Sequence, residues 1–81
     1  MKLTVQLFAV VRDLAGAPAV EIEVPEQATI GQVRTILAEH VPALTSLQKH
    51  CHFAVNADYA TDATVVPDGA DVACIPPVSG G

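Results

Sequence analysis

The sequence predicts an α+β domain in which a mixed β-sheet is covered on one face by a helix. Three observations carry that expectation. Two stretches near the start, Leu3 to Val10 and Val20 to Val24, alternate apolar and polar side chains, as half-buried strands do. A capped stretch from Ile30 to His40 repeats its apolar residues at helical spacing. A last alternating segment, Asp71 to Ile75, follows a strong turn and is placed by the intervening helix parallel to the first strand.

Each element has a local reason. In the first strand Leu3, Val5 and Leu7 point one way, and Lys2, Thr4, Gln6 and Phe8 the other. Asp13-Leu14-Ala15-Gly16-Ala17-Pro18 is rich in turn residues and is read as the link to the second strand. There Val20, Ile22 and Val24 alternate with Glu21 and Glu23, until Pro25 stops the strand. The acidic residues Glu21, Glu23 and Glu26 read as a solvated outer face. Thr29 with Gln32 forms a capping-box pattern ahead of Ile30, Val33, Ile36, Leu37 and Val41, with Arg34 and Glu39 on the wetter side. The helix ends before Pro42, because the residue preceding proline avoids the helical region. Leu44 and Leu47 suggest a short second helix or turn. Phe53 to Asn56 is a brief strand, Asn56-Ala57-Asp58 a turn leading to Tyr59, and Pro67-Asp68-Gly69 a second turn. This order is that of a β-grasp, ubiquitin-like fold over residues 1–75, followed by an extended flexible tail at 76–81.

Composition narrows the function. Among 81 residues, 51% are hydrophobic and 16% charged, which excludes intrinsic disorder. Four basic residues against nine acidic ones give a net charge of −5, and aromatics are 4%. Nucleic acid is a poor ligand for such a chain, since it needs a dense basic face or a stacking platform. No stretch approaches the length of a membrane span or has the form of a signal peptide, so the expected location is cytoplasmic, with Cys51 and Cys74 as reduced thiols. His50-Cys51-His52 supplies too few ligands for a closed metal site and reads as surface histidines beside a buried thiol, while Cys74 alternates with Val72 toward the core. Ser46 and Ser79 lie in no nucleophile-elbow pattern.

The tail Pro76-Pro77-Val78-Ser79-Gly80-Gly81 is stiff at its start and free of side chains at its end. Fully extended, it reaches roughly 20 Å, and two glycines let a terminal carboxylate pass down a channel that larger residues would block. The chemistry would belong to the main-chain carboxylate itself.

Pro67-Asp68-Gly69-Ala70-Asp71-Val72-Ala73, the Pro-Pro-Val-Ser-Gly-Gly ending, the opening Leu7-Phe8-Ala9-Val10-Val11-Arg12-Asp13-Leu14 and Ala54-Val55-Asn56 together resemble the small subunits of molybdopterin synthase. The resemblance spans essentially the whole chain. It implies a sulfur carrier that is a non-catalytic subunit, with the catalytic side chains on a large subunit and a heterotetrameric assembly. It also implies an ATP-dependent partner that adenylates the Gly81 carboxylate, a sulfur donor that converts it to a thiocarboxylate (1-thioglycine), and transfer of that sulfur to cyclic pyranopterin monophosphate. No bound cofactor or metal is expected. Gly80, Ser79, Val78 and Pro77 would thread into the partners. Phe8, Tyr59 and Ile75 would form an apolar docking patch beside the tail, although the family's aromatic pair before Pro-Pro is here Cys74-Ile75. A carrier for thiamine synthesis, cysteine synthesis or tRNA thiolation, a ubiquitin-like modifier of lysines, and an inert interaction module are the alternatives.

Overall fold

The computed structural model describes residues 1–77. Five strands form one sheet: β1 (Lys2–Leu7), β2 (Ala19–Glu23), β3 (His52–Val55), β4 (Asp58–Ala60) and β5 (Val72–Ile75), in the spatial order β2-β1-β5-β3-β4. β1 and β5 run parallel at the centre, and the other pairs are antiparallel. Helix α1 (Ala9–Ala15) links β1 to β2, and helix α2 (Ile30–His40) carries the chain across the sheet. Two 3-10 turns, Pro42–Leu44 and Gln48–His50, lead into β3. The expected β-grasp arrangement, with the last strand parallel to the first, is the arrangement found.

The burial pattern follows the alternation of β1, whose Leu3, Val5 and Leu7 are buried while Lys2, Thr4 and Gln6 are exposed. Register extends that inner face across the sheet, pairing Leu3 with Ile22, Val5 with Val72, and Leu7 with Cys74. Phe53 and Val55 continue it on β3. Ile30, Val33 and Leu37 of α2 close over this face, and Phe53 is the largest side chain fully excluded from water. At about 25 cal/mol per Å², burial of this kind is the main stabilising term in so small a domain.

Local chemistry fixes the helix ends. Thr29 Oγ1 accepts from the Gln32 amide at 3.3 Å, and the Thr29 amide donates to Gln32 Oε1 at 2.9 Å, so both halves of the capping box are present. α1 ends on Gly16 at φ 73°, a left-handed cap that closes on Arg12 O.

Three expectations need correction. The first strand stops at Leu7 rather than Val10, and the segment from Ala9 is helical instead of continuing as a strand into an Asp13–Pro18 turn. Only Val11 of that helix is buried, so no apolar stripe marks it in the sequence. Arg34, placed on the wetter side of α2, has a side chain only 17% exposed. Pro76, assigned to the tail, is buried, and Pro77 is the first exposed residue after β5.

Candidate functional site

Strand directions decide which residues share an end of the molecule with the tail. β1 and β5 are parallel, so the end of β1, the exit of β5 and the start of β3 lie together, in the register Leu7–Cys74 and Ile75–His52. Pro76 and Pro77 leave from that end; neither can donate to a strand ladder, so pairing stops at Ile75. Gly81, Gly80, Ser79 and Val78 lie outside the described residues.

The sheet face turned away from α2 is built from the opposite parity. One row crosses all five strands: Ala19, Gln6, Ala73, Ala54 and Tyr59. The next row toward the tail pairs Ile75 with His52. Phe8 lies two residues beyond Gln6 in extended conformation, capping α1. The structure therefore places Phe8, Ile75 and Tyr59 toward one end of a single face, with Tyr59 78% exposed, Phe8 48% exposed and Ile75 half-buried. The His52 and Tyr59 rings meet edge to face, with centroids 6.0 Å apart.

The sequence marks His52 as a surface histidine beside a buried thiol and does not place it next to Ile75. The signal that would have placed it here is register: once Ile75 is the last residue of β5, an antiparallel β3 beginning at His52 must set the two side by side. Val10 and Leu14, each 45% exposed on α1, are further apolar residues near Phe8 that strand periodicity concealed.

The β2 end of the same face is charged. Glu21 lies 3.9 Å from Lys2, and Glu23 lies 3.7 Å from the terminal amine. These are solvent-exposed carboxylates, and such pairs contribute little to stability. The face thus runs from acidic at β2 to apolar at β5, β3 and β4.

Nucleophilic chemistry is not favoured in the described body. Cys51 and Cys74 are both buried, and burial pushes both thiols up from the ordinary value of 9.0. For Cys74 the neighbouring Cys51 adds to the effect, whereas for Cys51 the contact with Cys74 and the nearby Arg34 guanidinium partly oppose it. Thiols held protonated are poor nucleophiles. Among the described residues no group of three His, Cys, Asp or Glu side chains is arranged to hold a metal ion, and no helix is long and apolar enough to cross a membrane.

A five-stranded β-grasp sheet with one helix-covered face and a C-terminal strand leading into a Pro-Pro tail defines a ubiquitin-like protein. The ThiS family model matches residues 5–81, and the chain belongs to the ThiS family. It is 40% identical to the molybdopterin synthase sulfur carrier subunit of Chlamydomonas reinhardtii, over 100% of both chains. With the subunit of the same name from Arabidopsis thaliana it shares 32% identity, covering 100% of this chain and 84% of the relative. The crystal structure of SAMP1 from Haloferax volcanii, a small archaeal modifier protein, superimposes with a TM-score of 0.87 at 30% identity over 100% of both chains.

Proposed function

We propose that the protein is the sulfur carrier subunit of molybdopterin synthase, acting in the cytoplasm. The observation that carries this reading is the full-length similarity to curated subunits of that name, at 40% identity in one case. The exit of β5 beside an apolar sheet face, ahead of a Gly-Gly terminus, supports it.

The chemistry is that of a main-chain carboxylate. Carboxylates are poor electrophiles, so a Gly81 oxygen first attacks the α-phosphorus of ATP in an adenylating partner, releasing pyrophosphate. Sulfide-level sulfur from a donor then attacks the acyl carbon, AMP leaves as the C–O bond to it breaks, and a thiocarboxylate remains. The Pro77, Val78, Ser79 and Gly80 lead carries that sulfur into the large subunit, where it passes to cyclic pyranopterin monophosphate; two such transfers form the dithiolene. Phosphate recognition falls to the large subunit, because the four basic residues of this chain form no cluster in the sequence, and Arg34 is committed to Asp62. Phe8, Tyr59 and Ile75 meet that subunit, and the two proteins assemble as a heterotetramer.

Reconstitution tests the reading. Thiocarboxylated protein mixed with the large subunit and the pterin precursor should yield molybdopterin, and neither protein should do so alone. Failure of the mixture, with a known carrier active in parallel, would contradict it. The modifier reading has one observation in its favour, the match to a solved archaeal modifier at 30% identity. It requires isopeptide adducts between the Gly81 carboxyl and lysine ε-amino groups, which a proteome-wide digest would reveal.

A further inference from the structure

We propose that the cleft between the C-terminal half of α2 and the two 3-10 turns receives a lysine side chain from a protein partner, with Glu39 and Gln48 holding its ammonium. The inference does not depend on the carrier reading. The cleft lies on the helix side of the sheet, opposite the open face.

The cleft has a volume of about 390 Å³ and is lined by Thr35, Ala38, Glu39, Pro42, Thr45 and Gln48. That is the lower end of the range for ligand-binding clefts. Its polar groups are nearly all acceptors. Thr35 Oγ1 donates its proton to the Gly31 carbonyl at 3.2 Å, and Thr45 Oγ1 donates to the Pro42 carbonyl at 2.8 Å. Both hydroxyls therefore have only lone pairs left to offer. Glu39 is an exposed carboxylate that makes no salt bridge among the described residues. Gln48 Oε1 is buried and, among the described residues, accepts from no donor. The Ala38 carbonyl adds another acceptor, since its helical donor would be residue 42 and Pro42 has no N–H. The same end of α2 carries the negative pole of the helix dipole.

Acceptors on several segments, one negative charge and apolar surface from Ala38 and Pro42 define the occupant. An anion finds only the Gln48 amide nitrogen as a free side-chain donor. A metal ion finds one carboxylate in the cleft, and among the described residues no group of three His, Cys, Asp or Glu is arranged to hold one. An ammonium points its N–H groups apart, which suits oxygens on separate residues better than the planar fork of a guanidinium does. Its aliphatic stem lies along Ala38 and Pro42 while the head reaches Glu39. Gln48 Oε1 gains the donor it lacks, and a buried acceptor without one is costly. The chain's own cations leave the place open. Arg34 is held by Asp62 and by the carbonyls of Gln48 and Cys51, while His40 and Lys49 are exposed and do not line the cleft. Thr35, Glu39, Pro42 and Thr45 are all exposed, so the cleft opens outward and holds the end of a side chain rather than enclosing a free molecule. The net charge of −5 draws basic partners toward it.

Amide NMR of the full chain, titrated with Nα-acetyl-lysine N-methylamide at constant ionic strength, tests this. Saturable shifts should be confined to residues around the cleft, Ala38, Glu39, Thr45 and Gln48 among them. The norleucine analogue, which keeps the stem and lacks the ammonium, should bind at least about fivefold more weakly. Glu39→Gln should weaken lysine binding by about three- to fivefold. Gln48→Leu should weaken it too while holding or raising the thermal midpoint, because it removes an unpaired buried oxygen. Equal binding of the lysine and norleucine analogues, unchanged binding by Glu39→Gln, or shifts scattered over the surface as sodium chloride alone produces would overturn the inference. Tighter binding of the arginine analogue would do the same. Saturable binding of cadaverine with none of the blocked lysine would assign the cleft to free amines and contradict a protein partner.

Discussion

Arg34 ties four segments of chain to one guanidinium. It donates to the carbonyls of Gln48 and Cys51, the latter at 2.8 Å, to Asp62 at 2.9 and 3.2 Å, and lies 4.9 Å from the centre of the Phe53 ring. Helix α2, the second 3-10 turn, β3 and the loop after β4 are joined through it. Arg34→Leu should cost about 2–4 kcal/mol, because part-buried carbonyls lose charged donors, and urea denaturation would measure it. Arg34→Lys should recover little of that loss, since one ammonium cannot reproduce the planar fork. The two-residue turn between β3 and β4 holds Asn56 at φ 50° and Ala57 at φ 71°, a left-handed pair that favours Asn-Gly. Ala57→Gly should therefore stabilise the protein by about 0.5–1 kcal/mol in the same assay. The thiols predict the alkaline limb. Their folded values lie above the ordinary 9.0, so their contribution is intact below that pH and is lost as pH rises through the higher folded values. A Cys51→Ala, Cys74→Val double variant should lack the thiol part of that decline.

Among the elements, legibility tracked how much of each one is buried on a single side. α2 spans the residues that its capping box and apolar repeat indicate, because Ile30, Val33 and Leu37 all face one sheet. Thr29→Ala should destabilise by about 1 kcal/mol, read as a lowered midpoint in thermal or urea unfolding. α1 left no such trace. It is seven residues long and buries Val11 alone, so Val10-Val11 after a true strand looks like more strand, and the Gly16 cap looks like a turn. Arg34 is hidden for a related reason: helical spacing puts it off the apolar stripe, and the second 3-10 turn, Cys51, Phe53 and Asp62, all distant in sequence, enclose it. A place on the open sheet face was legible by parity for Ile75 on β5 and for Phe8, two residues past Gln6 of β1. His52 was not, since its place depends on a register between β3 and β5 that local pattern does not specify.

At the scale of the whole molecule, strand direction gathers the candidate site residues. The parallel β1–β5 pair brings the end of β1, the exit of β5 and the start of β3 to one end, while the acidic edge at β2 lies across the open face. Docking through the apolar part predicts that Tyr59→Glu, at a 78% exposed site, leaves unfolding unchanged and weakens large-subunit binding by about 1–3 kcal/mol in calorimetry. Against a basic partner surface, the net charge of −5 predicts slower association as salt rises, visible in stopped-flow rates, with dissociation less affected. All of this presumes that the body is a handle and that the terminal carboxylate is the reactive group. Intact-mass analysis after incubation with the adenylating partner, ATP and a sulfur donor tests that presumption most directly. The account predicts replacement of one oxygen by sulfur, assigned to Gly81 by fragmentation and lost when Gly81 is deleted. An unchanged mass with a competent sulfurating system, or sulfur carried instead on Cys51 or Cys74, would contradict it.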